Sequence, residues 1–152
     1  MSLTKIPTVT QWPAMHYVFV EKIGPFQNTA RQAWEELHQK LSEVTEQCRL
    51  LGFTSLYKIE PQMIYRAGVQ VDHPPKHLPT GFQYIQFHGG KYSKFVLTGS
   101  YTQLPEACGQ VFEIVHKTKI PLEQNFYIEN YVNDPKTTPE DQLITEILIP
   151  TK

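Results

Sequence analysis

A lone carboxylate set between two tyrosines is the part of this sequence best suited to chemistry. In the run Phe126-Tyr127-Ile128-Glu129-Asn130-Tyr131-Val132, strand alternation puts Tyr127, Glu129 and Tyr131 on one face and Phe126, Ile128 and Val132 on the other. An ionised glutamate resists burial without a partner. Three arrangements would satisfy it: exposure to water, an ion pair, or a pocket that receives a cationic or hydrogen-bonding ligand. The chain has only three arginines, Arg31, Arg49 and Arg66, and Arg66 is the credible partner for an ion pair. In a pocket, a cation over the tyrosine faces would gain about 0.5 to 2 kcal/mol per desolvated contact. The same acid could instead activate water, with Tyr131 or Tyr65 donating to a leaving group.

Three further aromatic residues are candidates to line such a pocket. Tyr57 and Tyr65 fall on strands, and Trp34 lies on the apolar stripe of a helix, with an indole N–H that needs a partner. Each also suits an ordinary core position. Other motifs carry less. His73 and His77 bracket Pro74-Pro75, so helical ligand spacing does not apply, and Asp72 is the one acid beside them. No metal site is expected there. Cys48 and Cys108 form no CxxC pair and read as small thiols packed in a reducing compartment. Gly99-Ser100-Tyr101 is not a nucleophile elbow, and Gly89-Gly90 lacks the Lys-Ser/Thr of a phosphate loop. No cofactor is expected.

The elements that must position these residues follow from their patterning. Residues 15–23 form a strand that is apolar on both sides, broken by Gly24-Pro25. A helix capped by Asn28 carries Ala30, Trp34, Leu37, Leu41, Val44 and Cys48 on one stripe, with Gly52 as its C-terminal stop. Residues 53–59 and 63–71 read as strands, and the proline-bearing stretch 73–80 as a crossover loop. Strands over 82–87 and 91–98 follow. A second helix, capped by Thr102, presents Leu104, Ala107, Cys108, Val111, Phe112 and Val115. Strands over 126–133 and 143–149 close the chain.

The pattern is written twice. Gly24 and Phe26 match Gly99 and Tyr101 at an offset of 75 (99 − 24 and 101 − 26). Tyr57 matches Tyr131 at 74 (131 − 57), and Met63 matches Leu143 at 80 (143 − 63). The matching partner of Glu129 is Ser55 (129 − 74), so the acid stands in one copy only. The expected fold is α+β: two pseudo-twofold-related β-α-β-β repeats, about 13–72 and 82–150. They would form an antiparallel sheet around a central ligand cleft within one domain, 1–152. A seam between such copies is a natural place for a pocket.

Composition sets the outer bounds. With 152 residues, 40% hydrophobic and 19% charged, the chain suits an ordinary globular domain. A net charge of −1 and the lack of any Lys/Arg cluster argue against a phosphate-backbone binder. No stretch resembles a signal peptide or a membrane span, so a cytoplasmic protein is expected.

Several runs carry a family resemblance that spans nearly the whole chain. Gly90-Lys91-Tyr92-Ser93-Lys94-Phe95-Val96, Gly99-Ser100-Tyr101 and Leu104-Pro105-Glu106-Ala107 resemble the GyrI-like small-molecule-binding family. So do Ile128 to Pro135, Thr138-Pro139-Glu140, Thr145 to Pro150, Tyr65-Arg66-Ala67-Gly68-Val69 and Ile23-Gly24-Pro25-Phe26. The family includes effector-binding domains of AraC- and MerR-type regulators, a stand-alone gyrase inhibitor and some hydrolases of cyclopropanoid products. The resemblance implies two β-α-β-β repeats around a cleft. It also implies an acid ringed by aromatics that meets cationic lipophilic ligands, a role that falls on Glu129 with Tyr131 beside it.

The leading expectation is a stand-alone domain that binds a lipophilic or aromatic, including cationic, small molecule through Glu129, Tyr131, Tyr127, Tyr65, Trp34 and Tyr57. It has no catalytic residue, no direct nucleic-acid contact and no membrane association, and it leaves room for a protein partner. The alternatives are a hydrolase of strained electrophiles using Glu129 and a tyrosine, and a protein-interaction module such as a gyrase inhibitor.

Overall fold

The computed structural model describes all 152 residues. In chain order the strands and helices are β1 (Ser2–Leu3), β2 (Thr8–Trp12), β3 (Met15–Ile23), α1 (Phe26–Thr45), β4 (Leu50–Lys58) and β5 (Ile64–Val71). They continue with β6 (Gln83–Phe87), β7 (Gly90–Thr98), α2 (Leu104–Lys117), β8 (Tyr127–Tyr131) and β9 (Ile144–Pro150). The class is α+β with antiparallel strand pairing. The elements group into two compact units, one of Pro13–Gly89 and one of Met1–Trp12 with Gly90–Lys152.

In the unit Pro13–Gly89 the strands run β4-β5-β3-β6. β3 is central, and Tyr17, Val18, Phe19 and Val20 are all buried, as the doubly apolar pattern requires. α1 packs on β3 and β5 through Thr29, Ala33, Leu37 and Val44, a stripe with the spacing of a helix face. The Tyr17 ring crosses Gly68, where an added Cβ would stand 2.4 Å from Tyr17 Cζ. Only glycine fits under that ring. The Tyr17 hydroxyl donates to the Thr54 carbonyl at 2.8 Å.

In the other unit β7 pairs with β9, β9 with β8, and the short strands β1 and β2 pair along β7. Ala107, Val111 and Val115 of α2 pack against Phe95, Leu97, Ile147 and Ile149, with Leu3 alongside. β1 and β2 lie in a stretch whose patterning gave no strand signal; β2 is mostly exposed and its order comes from pairing with β7. The strand β6, read from sequence with the second repeat, pairs with β3 of the first unit.

The pairing registers repeat at the sequence offsets. Val20 faces Ala67 as Phe95 faces Ile147, and Tyr57 faces Tyr65 as Tyr131 faces Thr145. The strand-to-helix glycines match too. Gly24 (φ 126°) and Gly99 (φ 139°) both take a conformation that side chains disfavour. The Gly24 N–H donates to the Met63 carbonyl at 3.0 Å, and the Gly99 N–H to the Leu143 carbonyl at 2.8 Å.

Helix ends differ from the expected ones. α1 begins at Phe26 directly after Pro25, so Asn28 lies within its first turn and is not its cap. It ends at Thr45, and Gly52 belongs to β4, beside a bulge. Ser100, not Thr102, caps the 3-10 turn leading into α2, by accepting from the Thr102 N–H at 3.2 Å.

Candidate functional site

The face of β8 that carries Glu129 meets one stripe of α2. Phe112 packs edge-on against Tyr127, ring centres 5.4 Å apart. Four residues back along the helix, the Cys108 thiol donates to Glu129 Oε2 at 3.5 Å. Beyond the start of the helix, Tyr101 packs edge-on against Tyr131 at 5.5 Å. The match is a matter of rise: four helical residues advance about 6 Å and two strand residues about 6.6 Å. The two ladders therefore stay in step from Phe112 and Tyr127 to Cys108 and Glu129, and the 3-10 turn before α2 supplies Tyr101 to Tyr131. Ile128, on the opposite face of β8, is fully buried.

Glu129 accepts hydrogen bonds from the Tyr131 hydroxyl at 2.9 Å and from the Cys108 thiol, and neither donor is a cation. Burial pushes its carboxyl above the ordinary glutamate range, against the smaller lowering effects of Tyr131 and Cys108. The residue nevertheless keeps some exposed surface. Burial also raises Tyr127 and Tyr101 above the ordinary tyrosine value, Tyr101 with help from the Asp134 charge, so both remain protonated donors. A half-buried carboxyl with raised proton affinity and no counter-charge is set to gain from an arriving cation.

Arg66 is engaged elsewhere. It lies directly across from Glu21 of β3 and pairs with it at 2.8 Å, with its guanidinium carbon 4.5 Å above the Phe19 ring. Side chains alternate along β5, so Arg66 takes the face opposite Tyr65.

The corresponding positions of the other unit hold a neutral network. The Trp34 indole donates to the Tyr65 hydroxyl at 2.8 Å, and that hydroxyl lies 2.7 Å from Ser55 Oγ. Phe26 packs against Tyr57 at 5.5 Å and Tyr65 at 5.6 Å. Phe26 with Tyr57 repeats Tyr101 with Tyr131, edge-on in both cases. The buried helix positions Ala33 and Leu37 match Ala107 and Val111 at 74 (107 − 33, 111 − 37), which aligns Trp34 with Cys108. The aromatic frame is common to both units. The polar centre is Trp34, Ser55 and Tyr65 in one, and Cys108 and Glu129 in the other, where Thr145 replaces Tyr65.

Of the six residues expected from sequence, Glu129, Tyr131 and Tyr127 line one strand face, and Trp34, Tyr65 and Tyr57 gather around Phe26 and Ser55 in the other unit. Sequence reasoning missed Cys108, Tyr101, Phe112, Phe26 and Ser55 as parts of these sites. Signals existed: Phe26 and Tyr101 stand at the same 75-residue offset as Gly24 and Gly99, and Cys108 and Phe112 stand four apart on α2. Open depressions occur away from the Glu129 face. One of about 420 Å³ is lined by residues that include Gly99, Ser100 and Glu140. Another of about 550 Å³ runs beside Trp34, Arg31 and His38 on α1.

The fold is shared with known proteins. The chain is similar to the EcmrR C-terminal domain, with 17% identity, a TM-score of 0.78 and coverage of 100% of this chain and 99% of that one. It is similar to SAV2435, solved bound to tetraphenylphosphonium, with 18% identity, a TM-score of 0.75 and coverage of 96% and 93%. A hydrolase from Listeria innocua shares the fold at 9% identity and a TM-score of 0.61, with coverage of 99% and 94%. No curated protein sequence matches the chain. No helix is long and apolar enough to cross a membrane. The GyrI-like small molecule binding domain matches residues 6–152, and the chain belongs to that family.

Proposed function

We propose that this domain binds a lipophilic organic cation, with Glu129 supplying the charge and Tyr127, Tyr131 and Tyr101 the aromatic surroundings. The observation that carries this reading is Glu129 itself. Its carboxyl is raised by burial, oriented by a hydroxyl and a thiol, and lacks a cationic partner. A delocalised cation with a greasy periphery meets both needs: it neutralises the acid and loses little hydration on entering. The tetraphenylphosphonium bound by SAV2435 is a ligand of that chemistry.

Calorimetric titration with tetraphenylphosphonium tests the proposal. The wild type should bind, and Glu129→Gln should weaken binding by about 1 to 3 kcal/mol, the usual cost of losing a charge-assisted contact. Equal affinity in the two proteins would remove Glu129 from the site.

Both Glu129 oxygens already accept hydrogen bonds, which favours binding over hydrolysis. The Tyr131 hydroxyl donates its hydrogen bond to Glu129, which orients the carboxylate and points that hydroxyl at the acid rather than at a leaving group.

A further inference from the structure

Away from the Glu129 face, three side chains bring together donors of the kinds that hold borderline transition metals. Cys48 offers a thiol, Asp72 a carboxylate and His73 an imidazole, with one ligand atom from each all within 4.8 Å of one another. Cys48 comes from the turn after α1, and Asp72 and His73 from the chain leaving β5. We propose that Cys48, Asp72 and His73 form a binding site for zinc or a metal of the same ligand preference, with water completing the coordination.

The geometry is close to what such an ion needs. Bond lengths of about 2.0 to 2.3 Å at tetrahedral angles put neighbouring donors roughly 3.3 to 3.6 Å apart, so the three atoms need to shift by only about an ångström. The backbone around them is already tied. The Asp72 N–H donates to the Arg49 carbonyl at 3.1 Å, and the Arg49 N–H returns to Asp72 Oδ1 at 2.9 Å. The Gln47 amide donates to the His77 carbonyl and accepts from the His77 N–H, each at 2.9 Å. Pro74 and Pro75 stiffen the stretch between His73 and His77.

The sulfur is buried, with Cys48 4% exposed, while the Asp72 and His73 side chains are 41% and 55% exposed. That leaves an approach from solvent on the carboxylate and imidazole side. A thiolate and an imidazole favour zinc-like ions over calcium or magnesium, which take oxygen. Binding would replace the thiol proton, released to solvent, and the hydrogen bonds that the thiol now gives the His73 carbonyl (3.2 Å) and that His73 Nδ1 shares with Asp72 (2.8 Å). The sequence spacing concealed the set, because its members are 24 residues apart (72 − 48) and meet only through the register of α1 and β5.

The test is a cobalt titration of the metal-free full chain. Wild type should develop a thiolate-to-cobalt charge-transfer band and tetrahedral visible bands, which stoichiometric zinc then removes, and zinc should raise the melting temperature. Cys48→Ser should abolish the band, His73→Ala should weaken binding at least about tenfold, and Cys108→Ser should change neither. Absence of the band in wild type overturns the proposal, as does its persistence in a folded Cys48→Ser or its loss in Cys108→Ser. If Cys48→Ser does not fold, His73→Ala decides, since His73 is largely exposed. Wild-type affinity in that variant would refute the site.

Discussion

Cys108 Sγ lies 3.5 Å from Glu129 Oε2, so a thiol is one of only two donors to the one acid centred on the β8 face. A thiol is a weak donor, and burial outweighs it in setting the proton affinity of the carboxyl. Cys108→Ser puts a stronger donor at that position and should lower the Glu129 pKa, whereas Cys108→Ala should raise it. Carbon-detected NMR of the glutamate carboxyls would follow both shifts. Opposite movements, or none, would mean that Cys108 is merely packed against the strand.

The raised Glu129 carboxyl also fixes the sign of a stability effect. A group whose folded pKa lies above its unfolded value favours the folded state in its protonated form. Its contribution is present below the unfolded pKa and is lost as pH rises through the folded one. Glu129→Gln should therefore melt at or above the wild-type temperature at neutral pH, and this advantage should shrink to nothing as pH falls below the ordinary glutamate range. Cation binding should run the other way and weaken on acidification. A Glu129→Gln protein less stable than wild type at neutral pH would indicate that the ionised carboxylate holds structure together.

Gly68 offers a test of packing. An alanine Cβ there would stand 2.4 Å from Tyr17 Cζ and 2.6 Å from its hydroxyl, and Tyr17 has no exposed surface to retreat into. Gly68→Ala should cost about 1 to 3 kcal/mol, the range for overpacking. Adding Tyr17→Leu should cost less than the sum of the two single changes, because the ring that clashes is gone. Additive losses in denaturant titration would place the strain elsewhere.

Much of the strand framework was legible because hydrophobic alternation and glycine punctuation are local signals. The 74, 75 and 80 offsets found in the sequence reappear as pairing registers, and Gly24 and Gly99 share a backbone conformation because each must turn a strand into a helix. Glu129 and its tyrosines were legible for the same reason, since period-two alternation fixes who shares a face. Helix ends were not legible: Asn28 and Gly52 have the right residue types for caps, but Pro25 already starts α1, and β4 pairing claims Gly52. The Cys108 contact and the Arg66–Glu21 pair depend on which residue of one element lies opposite another. A single sequence does not state this until the registers are applied, and then Arg66, one residue from Tyr65, must face away from it.

Tyr65 marks a further chemical difference between the two units, because its hydroxyl joins Trp34 Nε1 at 2.8 Å to Ser55 Oγ at 2.7 Å, and Thr145 at the matching position is too short to do so. Tyr65→Phe keeps the ring, and with it the packing against Phe26, but takes one hydrogen-bond partner from each of two side chains. Ser55 has no exposed surface, so water cannot easily replace what it loses, and a cost of about 1 to 3 kcal/mol is expected. Indole emission should shift as the Trp34 N–H loses that acceptor. Tyr131→Phe in the other unit should behave differently. It removes a donor from an acid that burial already favours in the neutral form, so its effect should fall on the Glu129 pKa and on cation affinity more than on the melting temperature. If the two substitutions instead cost the same stability and leave tetraphenylphosphonium affinity alike, the polar centres of the two units are equivalent, and the acid at position 129 confers no special role on its face.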